Sequence, residues 1–242
     1  MEVITSLDNK RIKNLAKLLN KKYRDETGMF LVEGEHLVIE AKRAGSLMEV
    51  IKCEDYEMDF DVTTTIVTYD VIKKLSNTLN PQKVIGVCKK LDNKDIGNKV
   101  LILEDIQDPG NLGTIIRSSV AFGVDTIVVS TNTVDMYNDK VLRSSEGMIF
   151  HIDIVKMDVN ECIDKLHAEG YEIYGTKVDG GTDLREITVG DKYAVVMGNE
   201  GAGVSEITLD KCDKYIYIPM NNECESLNVG VATSIILYEL SK

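Results

Sequence analysis

The chain has no apolar run approaching the roughly 18 residues needed to span a bilayer. Met1-Glu2-Val3-Ile4-Thr5 lacks the basic and apolar stretches of a secretory leader. Cysteine is scarce and unpaired in pattern: Cys53, Cys88, Cys162, Cys212 and Cys224 are odd in number and contain no CxxC. That excludes a disulfide frame and leads us to expect a reducing, cytoplasmic setting. Three isolated histidines, His36, His151 and His167, argue against structural zinc, and no metal is expected. Positive charge is also short, with 28 Lys and Arg against 40 Asp and Glu, a net −12.

The deficit is unevenly spread. Residues 1–90 hold 15 basic and 14 acidic side chains, whereas residues 99–242 hold 12 and 24. Screening decays over about 8 Å at physiological salt, so a basic patch in the first part is little affected by acids in the second. A polyanionic partner therefore stays open. What is present is ordinary for a globular chain: 43% apolar and 28% charged residues over 242 positions, enough for one large domain or two ordinary ones.

The spacing predicts a helix over 9–22. Ile12, Leu15, Ala16 and Leu19 share one face, and Lys10, Lys13, Lys17 and Lys21 form a stripe on the other. Such a stripe is either a solvated face or a track for a phosphate backbone. Strands are predicted at 29–32, 48–53, 65–69 and 84–89, with helices over 35–44 and 70–77. The polar stretch LDNKDIGN at 91–98 reads as a linker, separating a small α/β unit (1–90) from residues 99–242. Beyond it, Val- and Ile-rich strands at 100–103, 126–130, 150–155, 171–175, 193–197 and 215–219 alternate with helices over 112–122, 139–145, 160–169, 204–212 and 227–240. That alternation predicts a mostly parallel sheet with helices on both faces. Ligands of such sheets bind where strands exit, so the chemistry is sought there.

Three exits stand out. The first reads Glu104-Asp105-Ile106-Gln107-Asp108-Pro109-Gly110-Asn111, leading into a helix with Arg117 and Ser118. Asn111 suits a helix cap. Arg117, flanked by apolar Ile115, Ile116 and Val120, needs an anion, either a protein acid such as Asp105 or a bound substrate. The second reads Gly198-Asn199-Glu200-Gly201-Ala202-Gly203, glycine-rich enough for close backbone approach to a flat ligand. It has neither Gly-Lys-Ser/Thr nor GxGxxG spacing, which excludes a phosphate loop and a dinucleotide fold. The third runs Ile218-Pro219-Met220 to Glu225-Ser226-Leu227-Asn228. Here Pro219 ends the strand and Ser226 suits a helix cap, with Val231, Ala232, Ile235, Ile236 and Leu240 expected in the core behind it.

These three segments, DPGNLGxxxRS, GNEGxG and IPMxxxxESLNVxxA, together resemble the SpoU (TrmH-like) ribose 2′-O-methyltransferases of the SPOUT, or α/β-knot, superfamily. The resemblance covers most of 99–242. Residues 1–90, with FLVEGEHLVIEA at 30–41, resemble the small RNA-binding domain, similar to ribosomal-protein folds, that many members carry. It implies a trefoil-knotted α/β domain, a homodimer with its active site at the subunit interface, and S-adenosylmethionine as cofactor. Carried over by motif, Thr176, Gly198, Asn199, Glu200, Gly201, Ile218, Met220, Ser226, Leu227 and Asn228 would surround the cofactor. Asn111 and Arg117 would be the catalytic pair, with Glu200, Ser226 and Asn228 near the transferred methyl.

The implied reaction is an in-line displacement at the sulfonium methyl by a ribose 2′-hydroxyl, with no metal or membrane involved. Arg117 would hold the neighbouring phosphate, and the proton would pass to Glu200, the substrate phosphate or water. The implied substrate is structured RNA, ribosomal rather than transfer RNA. The alternatives are a tRNA methyltransferase or an RNA-binding protein that kept the fold without catalysis. Two positions depart from the pattern, Asn222 for the usual glycine and Gly230 for the commoner serine. Asparagine tolerates left-handed backbone, so the turn at 222 is expected to survive.

Overall fold

The structure is a computed structural model describing residues 3–92, 95–178 and 180–242; part of the expected linker thus lies outside the described residues. In chain order the first elements are α1 (Lys10–Ala16), α2 (Lys21–Thr27), β1 (Met29–Glu33), α3 (Glu35–Arg43), β2 (Leu47–Cys53), β3 (Thr63–Val67), α4 (Tyr69–Lys74) and β4 (Val84–Lys89). Next come β5 (Lys99–Leu103), α5 (Pro109–Ala121), β6 (Thr126–Val129), α6 (Asp139–Ser144), β7 (Asp153–Lys156), α7 (Val159–Ala168) and β8 (Glu172–Thr176). The last are β9 (Thr182–Asp183), β10 (Tyr193–Met197), α8 (Glu206–Leu209), β11 (Lys214–Tyr217) and α9 (Val229–Leu240). Among the described residues no helix is long and apolar enough to cross a membrane. The chain divides into two compact units, and the division is not a single cut: Met1–Asp92 folds with Asp135–His151, and Asn93–Val134 with Ile152–Lys242.

The first unit is built on a mixed sheet in the order β1-β4-β2-β3, antiparallel at β1–β4 and β4–β2 and parallel at β2–β3. Ile12, Leu15 and Leu18 pack with Ile51, Val67, Ile72 and Ile85 over one part of it. The single helix expected over 9–22 is in fact two. A 3₁₀ turn at Lys17–Leu19 is followed by Asn20 in extended backbone (φ −99°, ψ 132°), where its side chain accepts the Lys22 N–H and restarts the helix as α2. A polar cap outcompetes continuation here, because asparagine satisfies an otherwise unpaired first-turn N–H. The segment Asp135–His151, read from sequence as part of the 99–242 span, folds into this unit. It places Tyr137 against Phe30 (ring centroids 4.5 Å apart) and Phe150 at 6.2 Å. Asp135 takes a fork of hydrogen bonds from buried Arg24 (2.5 and 3.1 Å), and Glu40 bonds His151 at 2.6 Å.

The second unit is an all-parallel sheet in the order β7-β6-β5-β10-β8-β11-β9. Its central strands β5, β6 and β10 are almost wholly buried, as near-continuous apolar strands covered on both faces must be. Val100, Ile102, Val196 and Ile173 pack beneath Cys162, Ile163 and Leu166 of α7. The architecture is therefore α/β throughout, a small mixed-sheet unit and a larger parallel-sheet unit. The helix expected over 204–212 shortens to α8, and the strand expected over 150–155 becomes a 3₁₀ turn (Met148–His151) followed by β7.

Candidate active site

Strands β5, β10, β8 and β11 are neighbours in the parallel sheet, so their C-terminal exits open along one edge. The exits of β10, β8 and β11, together with the start of α9, enclose a cleft of about 400 Å³. Thr176, Gly198, Asn199, Glu200, Gly201, Ile218, Met220, Ser226 and Leu227 all line it; of the positions carried over for the cofactor, Asn228 lies outside the lining. Sequence reasoning passed over Lys177, Met197, Val204, Ile216, Tyr217 and Val229, which also line it. Most are apolar strand or helix residues whose pattern signals core.

Why the glycine-rich loop folds this way is local. Asn199 pairs with Gly203 through both backbone groups (3.0 and 2.9 Å), and its side-chain oxygen accepts the N–H groups of Gly201 and Ala202 (2.9 and 3.1 Å). A Cβ at Gly198 would overlap the backbone of Gly203 and Val204, so this tight return demands glycine. Gly201 is different: a Cβ there meets nothing closer than Asn199 Oδ1 at 3.6 Å. The Asn199 amide also donates to the Asp105 carbonyl (2.8 Å), fastening the β10 exit to the β5 exit. Asp105 itself adopts φ +57°, uncommon for a non-glycine residue, and its carboxylate accepts from Ser130 Oγ (2.6 Å) and Asn132 (3.2 Å). Glu104, unnoticed in the sequence, receives the N–H and hydroxyl of Ser205 (2.8 Å each) and the Thr208 hydroxyl (2.7 Å).

The three motifs meet through side chains. Glu200 accepts the N–H groups of Gln107 (3.1 Å) and Asp108 (2.9 Å) and the side-chain amide of Asn111 (3.1 Å). Asn111 in turn accepts from the Asn228 amide at 2.9 Å, and Asn228 Oδ1 takes the N–H groups of Gly230 (2.9 Å) and Val231 (3.3 Å). Burial pushes the Glu200 carboxyl up, but the donors from Asp108, Asn111 and Gln107 outweigh it and hold it below the usual carboxylate range. Glu200 is thus an ionised anchor with its oxygens already engaged.

Several expectations change. Asn111 is not the cap of α5: Asp108 is, accepting the Asn111 N–H at 3.0 Å, and Pro109 follows in the first turn where proline is tolerated. Ser226 does not cap α9; Asn228 does, which frees Ser226 to line the cleft. Val231 and Ile235, expected in the core, are 47% and 37% exposed and form an i, i+4, i+7 stripe with Tyr238 at 55%. Asn222 does not sit in left-handed backbone, so its turn needs no glycine. A Cβ at Gly230 would lie 3.2 Å from Thr114, a close approach that a serine would crowd.

Arg117 is exposed on α5, and among the described residues it has no hydrogen bond or ion pair; the bridge to Asp105 is not made. It does not line the cleft of its own chain. Six positions after Asn111, it lies about 9 Å along the helix and roughly a third of a turn round from it. In the first unit, Lys13 pairs with Asp8 (2.7 Å) and Lys21 with Asp25, whereas Lys10 and Lys17 make no ion pair among the described residues. The helix break also divides the stripe, with Lys10 and Lys13 on α1, Lys17 in the 3₁₀ turn and Lys21 on α2.

Residues 98–238 match the model of the SpoU rRNA Methylase family, and residues 9–86 that of the MRM3-like substrate binding domain. The chain belongs to the SpoU rRNA methylase family. This SpoU protein is 40% identical to the 23S rRNA (guanosine(2553)-2′-O)-methyltransferase RlmP of Bacillus subtilis (strain 168), over 99% of both chains. Among solved structures it is similar to the AdoMet-bound rRNA methyltransferase from Sinorhizobium meliloti, with TM-score 0.87 and 30% identity over 98% of this chain and 96% of that one. It is also similar to the SpoU methyltransferase AviRb from Streptomyces viridochromogenes in complex with AdoMet, with TM-score 0.84 and 26% identity over 96% of each chain.

Proposed function

We propose that this SpoU protein transfers a methyl group from S-adenosylmethionine to a ribose 2′-hydroxyl of ribosomal RNA. The observation that carries the reading is the side-chain chain Glu200–Asn111–Asn228, which ties all three motifs together beside the strand-exit cleft. The cleft fits a nucleoside-sized cofactor. Its volume is in the range of small-molecule sites, its walls are mostly apolar, and the missing side chain at Gly201 leaves backbone accessible to a flat ring. Thr176, Gly198, Gly201, Ile218, Met220 and Leu227 would hold the cofactor, which when bound supplies an electrophilic methyl.

This chain's residues then divide the remaining work. Asn111, fixed at both ends of its amide, orients the ribose. Arg117 holds the phosphate beside the reacting sugar and stabilises negative charge developing on O2′. Glu200 positions Asn111 and the Gln107–Asp108 backbone. With its oxygens occupied and its acidity raised, it leaves proton removal to the substrate phosphate or water.

Arg117 is exposed and does not line its own cleft, so we infer a homodimer in which Arg117 of one protomer serves the cleft of its partner. The exposed stripe Val231, Ile235 and Tyr238 is the surface such a dimer would bury. We infer also that the passages after β8, β10 and β11 are threaded as a trefoil, in keeping with the interleaved strand order β10-β8-β11.

The deciding experiment combines calorimetry with S-adenosylmethionine and methylation of 23S rRNA, followed by digestion to nucleosides. A 2′-O-methylated nucleoside is expected, with guanosine, as in the Bacillus relative's name, the one to seek first. Absence of cofactor binding would leave a non-catalytic RNA binder. A methyl on the base, or transfer to tRNA in preference to rRNA, would replace the reading.

A further inference from the structure

The first unit holds a wide groove between α1 and α2, about 830 Å³ in extent and separate from the methyl-transfer cleft. Its floor includes Leu15, Leu18 and Met29, and its rim carries Lys10, Arg11, Asn14, Lys17 and Tyr23. The charge there is not self-compensated. Arg11 is committed to Glu49 (2.5 Å) and Lys22 to Glu26 (3.8 Å), but Lys10 and Lys17 have no ion-pair partner among the described residues. They stand seven positions apart, on the order of 10 Å along the chain's helical course.

Tyr23 is half-buried and lines the groove. The ammonium groups of Lys17 and Lys22 lie 5.5 and 5.9 Å from its centroid, close enough for cation–π attraction. Asn14 is exposed, and among the described residues its side-chain amide makes no hydrogen bond, leaving a donor and an acceptor free beside the ring. The helix break that splits the expected lysine stripe also shapes this groove: α2 restarts after its cap Asn20, and Tyr23 comes to lie beside Lys17 of the 3₁₀ turn.

An aromatic face, two uncompensated cations and an adjacent amide are the elements that hold an unpaired nucleotide: a base stacks, its edge meets the amide, and flanking phosphates meet the cations. A double helix cannot use them, since its bases are already stacked. Glu26, also in the lining, is paired to Lys22. We propose that this groove captures an unpaired nucleotide of the RNA substrate, with the base on Tyr23 and the backbone across Lys10 and Lys17. The proposal rests on the reading of the protein as an RNA methyltransferase and names the part of the substrate that the first unit holds: a single-stranded or bulged segment rather than a duplex.

The test uses the full chain and a fluorescent oligouridylate, so that it does not depend on methylation. Anisotropy should give binding that a duplex of equal length fails to displace. Tyr23→Ala should weaken it by about five- to a hundredfold, as expected for loss of one stacked base. Tyr23→Phe, which keeps the ring, should stay within about twofold of wild type. Lys10→Gln with Lys17→Gln should lower the salt slope by about 1.4, roughly 0.7 for each phosphate contact on a single strand. With rRNA as substrate, Tyr23→Ala should raise KM while kcat and S-adenosylmethionine affinity hold. Equal oligouridylate binding with and without the ring, or displacement by duplex, overturns the groove. A protein that binds oligouridylate through Tyr23 yet methylates no RNA keeps the groove and loses the reaction. Should Tyr23→Ala fail to fold, the double lysine variant and Tyr23→Phe decide the question, and an unchanged salt slope rejects it.

Discussion

Asn228 donates its side-chain amide to the side-chain carbonyl of Asn111 across 2.9 Å, joining two residues 117 positions apart in the chain. Asn111 donates its own amide to Glu200, so both ends of this one side chain are spoken for and its orientation is fixed. Asn111→Asp replaces the donor with a second carboxylate facing Glu200. Methylation should fall by at least about a hundredfold at neutral pH, the scale of losing an oriented donor. Activity of this variant should recover partly as pH falls, because like charges raise the carboxyl pKa and the protonated form can donate again. A pH–rate profile falling or flat toward acid would reject the assignment.

Glu200 gives a stability signature of its own. Its folded pKa is lowered beneath the ordinary 4.5, so its contribution is fully present above that value and lost as pH falls through the folded one. Denaturant melts of wild type should therefore lose stability below about pH 4.5. Glu200→Gln should be less stable at neutral pH and flatter across that acid window.

The two glycines of the β10 exit should separate folding from binding. Gly198→Ala forces a methyl into the backbone of Gly203 and Val204 and should destabilise the second unit. At Gly201 a Cβ makes only ordinary contact with Asn199 Oδ1, so Gly201→Trp should leave the thermal midpoint within a few degrees while its ring, entering the cleft, abolishes S-adenosylmethionine binding by calorimetry. Equal melting of both variants would contradict the loop geometry.

Arg117→Ala should lower methylation at least about a hundredfold with cofactor affinity within a few-fold. Mixing it with Gly201→Trp tests where Arg117 acts. If each cleft takes its guanidinium from the partner, mixed dimers contain one intact site and activity returns. A site complete within one chain gives no rescue. Val231→Asp with Tyr238→Asp should abolish rescue and sediment as a monomer.

Arg24 tests the first unit. Its side chain is 6% exposed, bonds the carbonyls of Leu18 and Leu19 (2.8 and 2.9 Å), and pairs with Asp135, itself 13% exposed. Arg24→Leu strands a buried carboxylate and should cost about 3–5 kcal/mol in urea unfolding. Adding Asp135→Leu should recover part of that loss.

The parallel-sheet unit was legible because its strands are long apolar runs and its glycine and proline signals sit at their exits. Helix starts were less so. Asp108 and Asn228 capped where Asn111 and Ser226 were expected, since neighbouring residues of equal capping ability are separated only by where tertiary contacts stop the strand. The Val231–Ile235 stripe misled because apolar spacing on a helix does not register which of its faces the rest of the chain covers. Nothing local marked Asp135–His151 as belonging to the first unit. Its anchors, Arg24, Phe30 and Glu40, lie about a hundred positions away, a separation periodicity does not register. Glu104 was missed for a related reason: a lone acid after a strand gains meaning only from the Ser205 and Thr208 hydroxyls opposite it.

Because Asp135–His151 completes the first unit, that unit is sequence-discontinuous, and the polypeptide passes between the units three times. Trimming the chain after Asp92 would strip Phe30 of its aromatic neighbours and leave Arg24 and Glu40 facing water. Grafting the amino-terminal module onto another catalytic scaffold must therefore transplant the inserted segment as well. Exchange of one half between relatives is accordingly constrained at two separate stretches of the gene rather than at one junction.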